Sequence, residues 1–173
     1  DEPLVEPLRR RFTGTGLEVR HADALREPLE PLLAAEAPWQ AAANLPYSVG
    51  TAILRRLLRC HPLVTTVVVM LQREVAERVV ARPGGKGHGL LALERAAWAT
   101  ARIAFNVSPQ AFRPRPRVTS SVVVLQLRPP EHQPTELERG LELAARALTR
   151  PRKMMANALA GPVSRQDFQE AGI

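Results

Sequence analysis

The stretch VTTVVVML, residues 64–71, constrains this chain more than any other. It is β-branched from Val64 to Val69 and carries no charge, which disfavours helix and suits a strand. A strand without a polar side is expected at the centre of a parallel sheet, covered on both faces. Segments of two different periods flank it, and their alternation predicts an α/β layout. LEVRH (17–21), AAANL (41–45), ARIAFNV (101–107) and SSVVVLQL (120–127) read as strands, the last two joined by the proline-rich SPQAFRPRPRVTS. AILRRLLRC (52–60) reads as a helix with Leu54, Leu57 and Leu58 inward. QREVAERVVAR (72–82) reads as a helix with Val75, Val79 and Val80 apolar, stopped by Pro83 and the glycines beyond it. GLLALERAAWAT (89–100) returns to the helical period.

After the prolines of RPPEHQPTE (128–136) the character changes. LERGLELAARALTR, RKMMANALA and RQDFQEAG are short helical patterns with no strand signal. The expected organisation is most of an α/β domain over residues 1–128, a linker at 129–134, and the start of a small all-α domain over 135–173. At the other end, DEPLVEPLRRRF opens in the middle of an amphipathic pattern, with Leu4, Leu8 and Phe12 on one side and no initiator Met. A chain lacking its true N-terminus is expected.

A length of 173 residues can bury a sizeable core, and 45% hydrophobic residues exclude a disordered chain. The net charge of +7 and pI near 11.1 point to a polyanionic partner, nucleic acid first and an anionic membrane surface second. Basic pI values are also common among proteins that bind neither. Lysine occurs only at Lys86 and Lys153, and the remaining basic residues are arginine, which reads as coding bias. The single Cys60 excludes an internal disulfide and suits a reducing cytosol. Its place at the end of a helix pattern reads as unreactive. No apolar run approaches the ~20 residues of a membrane span. The histidines lack metal-ligand spacing, so no metal site is expected. RPGGKGHG (82–89) lacks the Lys-Ser/Thr ending of a phosphate loop and follows a helix, so it reads as a flexible link between helices.

AANLPYSVGTAILRRLL (42–58) puts a polar amide, a rigid proline and an aromatic ring where a strand gives way to a helix. Chemistry in open α/β sheets gathers at the C-terminal ends of strands. There the Asn44 side-chain carbonyl and the Leu45 backbone carbonyl can accept hydrogen bonds from a flat exocyclic amine. Pro46 fixes its own φ and offers no N–H, and Tyr47 offers a face for a planar base. The four together suit a purine drawn out of its stack. A plain strand-to-helix turn with a buried tyrosine accounts for the same residues.

In order and spacing, NLPYSVGTAILRRLL, VVVMLQREVAERVV and FNVSPQAFRPRPRVTSSVVVLQL resemble the rRNA adenine N6,N6-dimethyltransferases. The bacterial branch of that family is the KsgA type, with the Erm resistance enzymes as relatives. The likeness runs over nearly the whole chain. NLPY alone is moderately specific; with MLQREVAxR and FxPxPRVTSSVV at these separations it is strong.

The resemblance implies a Rossmann-like methyltransferase core, here without its first strands, and S-adenosylmethionine as cofactor. Asn44, Leu45, Pro46 and Tyr47 match the target-adenine motif, with Asn44 also near the cofactor. Phe112 matches the aromatic residue that helps hold the flipped base, although alone it reads as core or loop packing. Asp23 matches the acid beside the cofactor's adenine amine and Ala24 the backbone N–H that meets the same ring; a bare Asp there also reads as a helix cap. Arg113, Arg115 and Arg117, then Arg150, Arg152 and Lys153, would form the RNA surface, each of them also a plausible solvated charge. LTRPRKMMANAL resembles the family's FxQRRKTLRNxL helix, with Leu148 in place of the Phe and Pro151 in place of the first Arg. The family's glycine-rich cofactor loop and ribose-binding acid are absent, so weak cofactor binding is expected of this chain. Its loss of two strands should leave the 17–21 strand separated from the 41–45 strand in the sheet. The implied activity is dimethylation of two adjacent adenosines of small-subunit (16S) rRNA in the cytoplasm, by a monomer acting in ribosome biogenesis. An Erm-like large-subunit enzyme and a non-catalytic rRNA-binding assembly factor are the alternatives.

Overall fold

The computed structural model describes residues 2–82, 85, 87–149 and 154–172. Its sheet is built on β2 (Val64–Gln72), the β-branched run, and β4 (Ser120–Leu127), the next most valine-rich one. These two pair antiparallel, Val67 opposite Leu125 and Val69 opposite Val123. β1 (Trp39–Asn44) lies parallel to β2 on the outer side, and β3 (Ala99–Val107) lies antiparallel to β4, giving the order β1-β2-β4-β3.

The parallel pair needs a crossover, which α3 (Gly50–Leu58) supplies. Its Leu54 and Leu58 are fully buried and Leu57 packs against the same core. α4 (Arg73–Val80) and α5 (Leu90–Trp98) follow, and with α3 they cover the face that carries Val67, Val69, Leu71, Val123 and Leu125. Burying a side chain of this size is worth about 2 kcal/mol, so this face holds the domain together. Val79 is fully buried, with Val75 and Val80 packed at its margin. The segment between α4 and α5 contains Pro83, Gly84 and Lys86, which fall outside the described residues. Arg95 ties the end of α4 to α5, donating to the carbonyls of Val79 at 2.9 Å and Ala81 at 3.0 Å.

Two expectations are corrected. β2 is not covered on both faces: Thr66, Val68 and Met70, which alternate with the buried valines, are only half-buried. Its neighbour β4 is antiparallel, so the sheet is mixed and the run of valines does not signify two helical layers. Residues 17–21 form no strand and lie outside the sheet rather than separated within it. A strand gains its stability from a hydrogen-bonded neighbour, and this segment has none. Leu17 is exposed, and the Val19 carbonyl takes its hydrogen bonds from the Arg9 side chain.

α1 (Glu2–Arg11) keeps Leu4 and Leu8 on its surface and buries no residue. α2 (Leu29–Leu33) precedes β1 and rests Leu29 and Leu33 against the core. Beyond the sheet, α6 (Pro134–Leu148) starts with its proline in the first turn, where the missing N–H costs nothing. It packs on α5 and brings Leu137 to the core. α7 (Met155–Ala158) and α8 (Arg165–Glu170) are short. A Ser164–Asp167 capping box starts α8 and holds the Asp167 carboxyl below its ordinary value, chiefly by accepting from the Ser164 backbone N–H. Among the described residues no helix is long and apolar enough to cross a membrane.

Candidate nucleobase-binding site

β1 ends at Asn44, and its ladder runs one residue further, from the Leu45 N–H to the Met70 carbonyl at 3.4 Å. Leu45 is 5% exposed and belongs to the buried core, so it anchors the turn there. Pro46 then breaks the ladder. Its carbonyl accepts from the Val49 N–H at 3.2 Å, which closes the turn, and α3 begins at Gly50. A Cβ on Gly50 would lie 3.2 Å from Leu45 Cβ, tighter than ordinary side-chain contact, so glycine lets the helix start this close to the strand without displacing Leu45.

Tyr47 is 43% exposed, and its hydroxyl lies 2.8 Å from the Oγ of the fully buried Ser120. Ser120 opens β4. The loop before β4 carries Phe112, placed by a short turn (Pro109–Ala111) that Ser108 caps through the Gln110 N–H. The result is a cleft of about 350 Å³ lined by Asn44, Leu45, Pro46 and Tyr47 from the end of β1 and by Phe112, Pro114 and Pro116 from the β3–β4 loop. Two distant segments thus bring an asparagine, two aromatic residues and three prolines to one open groove.

Arg113, Arg115 and Arg117 alternate with the three cleft-lining residues of their loop and are exposed. Among the described residues none of the three pairs with a carboxylate. Arg150, Arg152 and Lys153 lie outside the described residues.

Asp23 and Ala24 do not line this cleft. The Asp23 carboxylate accepts from the Leu25 N–H at 2.9 Å and lies 3.6 Å from Arg26 Nε, and its carbonyl takes the N–H groups of Arg26 and Glu27. That is the local capping role open to any Asp at such a position. Arg56 of α3 pins the same loop through the carbonyls of Ala24 and Glu27, both at 2.5 Å. Cys60 is buried, its thiol donates to the Arg56 carbonyl at 3.3 Å, and burial pushes its pKa up, which suits an inert residue.

The sequence reasoning passed over Gly50, Ser120, Ser121, Pro114 and Pro116. Paired serines ahead of an apolar strand were a usable signal, because both are fully buried and each finds a hydroxyl or amide partner. Ser121 donates to Asn106 Oδ1 of β3 at 2.7 Å.

The profile of the family described as Ribosomal RNA adenine dimethylase matches residues 1–173. A "Ribosomal RNA small subunit methyltransferase A" from Ruegeria sp. (strain TM1040) is 39% identical over 99% of this chain and 62% of its own length. A protein of the same name from Roseobacter denitrificans (strain ATCC 33942 / OCh 114) is 43% identical over 84% of this chain and 52% of its own. The chain therefore spans little more than half the length of these curated relatives. Among solved structures, a dimethyladenosine transferase from Plasmodium falciparum superposes with a TM-score of 0.74 at 21% identity, over 98% of this chain and 59% of that one. The 23S rRNA methyltransferase ErmE superposes with a TM-score of 0.68 at 24% identity, over 99% and 68%. At such identities the likeness concerns the fold, that of the rRNA adenine methyltransferases. With a full-length profile match and relatives near 40% identity on nearly all its residues, the chain belongs to the ribosomal RNA adenine dimethylase family.

Proposed function

We propose that this chain is the acceptor-holding part of a small-subunit rRNA adenine N6,N6-dimethyltransferase. The whole enzyme would use S-adenosylmethionine to methylate two adjacent adenosines of 16S rRNA, in the cytoplasm, during ribosome biogenesis. Residues 1–128 would be its partial methyltransferase domain and 135–173 the start of its helical domain. The curated relatives favour the small subunit by their names, whereas ErmE is similar in fold alone.

The cleft that joins residues 44–47 to Phe112 carries the reading. A flipped adenine there would donate its amine hydrogens to the Asn44 side-chain carbonyl and the Leu45 carbonyl. Both acceptors draw the amine out of the ring plane and localise its lone pair, and their dipoles stabilise the positive charge that develops on nitrogen. Tyr47 and Phe112 would hold the ring by stacking, which fixes orientation. The proton released after transfer needs no dedicated base, because an alkylated aromatic amine is acidic enough to lose it to water. Arg113, Arg115 and Arg117 would meet the phosphates on either side.

S-adenosylmethionine would supply an electrophilic methyl and leave as a neutral thioether. Neither Asp23 nor Ala24 lines the cleft that Asn44 lines. The Asp23 carboxylate accepts the Leu25 N–H in its own turn and keeps lone pairs for a further donor.

The test replaces the two adenosines of a hairpin loop by inosine, which keeps a flat purine but exchanges the amine donor for a carbonyl. Affinity for the chain should fall at least about tenfold, the scale of one lost hydrogen bond facing an acceptor. Equal affinity for both hairpins overturns the reading. A preference for a large-subunit hairpin over the small-subunit one would favour the Erm-like alternative.

A further inference from the structure

We propose that Ser120 is a positioning residue that sets the direction in which the Tyr47 ring points in the cleft. The inference rests on the base-holding reading of that cleft and names a residue that touches no base. Tyr47 is 43% exposed, so packing alone cannot fix its ring. Its Cα is held in the turn after Pro46, and its far end is tethered at 2.8 Å to Ser120 Oγ. A ring held at both ends has one axis, and its far end cannot swing out of the cleft. The anchor itself is rigid: Ser120 is fully buried and sits opposite Gln72 of β2 and Val107 of β3.

The bond is required from both sides. A buried hydroxyl needs a partner, and Tyr47 brings one across 73 residues of sequence. The same strand that holds the tether is preceded by the loop that carries Phe112. Ser121 is the natural control. It is equally buried, but its hydroxyl bonds Asn106, on the side of β4 away from the cleft. Losing that bond weakens the β3–β4 pair without touching Tyr47.

The chain has a single tyrosine, so ring-labelled tyrosine gives one set of NMR signals that belongs to Tyr47 alone. In Ser120→Ala these signals should move toward those of a free tyrosine side chain, and in Ser121→Ala they should stay in place. Adenosine titrated against the amide signals of Leu45 and Tyr47 then reads the consequence. Ser120→Ala should weaken it by up to about tenfold, the equivalent of one hydrogen bond, and Ser121→Ala should not. Tyr47→Phe removes the same bond from the exposed end without emptying a buried site. It should match Ser120→Ala, and the double variant should lose no more than either single one. Unmoved ring signals in Ser120→Ala, or additive losses in the double variant, overturn the proposal. Failure of adenosine to bind the unsubstituted chain overturns the base-holding reading instead, while the ring signals still decide the tether.

Discussion

The absence of a side chain at Gly50 lets α3 begin directly behind Leu45. An added Cβ would meet Leu45 Cβ at 3.2 Å and the flexible Leu71 Cδ2 at 3.5 Å. Leu71 can turn its methyl away. Leu45 Cβ is bonded to the backbone, so relieving that contact shifts the peptide whose carbonyl is the proposed amine acceptor. Glycine to alanine gains at most about 1 kcal/mol of helix propensity, and less at a first helical residue. Overpacking costs about 1–3 kcal/mol. Overpacking therefore wins, and Gly50→Ala should lower stability in urea melts by about 1 kcal/mol and weaken adenosine binding as well. A variant at least as stable as the original chain would show that Leu45 yields freely. Asn44 to Tyr47 were legible in the sequence because they are contiguous and chemically mixed. Gly50 was not, because what it must avoid is Leu45 at the end of β1, and local composition does not state how closely α3 packs behind that residue.

Between elements, the buried carboxylate of Glu94 on α5 meets Arg55 of α3 at 2.6 Å, and the two ends of this bridge are unequally exposed. Glu94 has 9% of its side chain accessible and Arg55 39%. Removing Arg55 strands a charge in the core, which costs about 3 kcal/mol. Removing the charge of Glu94 leaves a guanidinium that can still reach water, for about 1 kcal/mol. Arg55→Ala should therefore destabilise the chain more than Glu94→Gln in the same urea melts, and equal or reversed costs contradict this account. Elements of this kind were readable from period and composition: α3, α4 and α5 fall where their leucine and valine spacing puts them. The valine run of β2 was read as a strand but assigned one buried face too many, since periodicity cannot say that β4 runs antiparallel beside it. Residues 17–21 have strand composition and form none, because pairing depends on a neighbour that local sequence does not contain. Asp23 shows the same limit: its turn-capping use and its family match are identical in sequence, and the structure adds the Leu25 and Arg26 contacts of the turn.

At the scale of the molecule, the positions matched to the acceptor base and those matched to the cofactor behave differently. Residues 44–47 and 112 line one cleft although three helices and two strands separate them. Asp23 does not line the cleft that Asn44 lines. The order β1-β2-β4-β3 leaves β1 at the edge of the sheet, with no strand among the described residues pairing its outer side. The 17–23 segment that precedes it is held instead by Arg9 and, through the adjoining turn, by Arg56. A ligand the size of S-adenosylmethionine binds well only where most of its surface is enclosed and its polar groups are met by prearranged partners. Here the cleft lined by Asn44 is not lined by Asp23 or Ala24, so the groups matched to the two ends of the ligand are not joined in one enclosed site. Isothermal titration of the chain with S-adenosylmethionine should therefore show a dissociation constant weaker than about 100 µM, short of some 5–6 kcal/mol of binding free energy. Micromolar binding would mean that Asp23 and Asn44 close on a common ligand after all. The same titration with adenosine separates the two halves of the chemistry, since the acceptor cleft is already lined by residues 44–47 and 112.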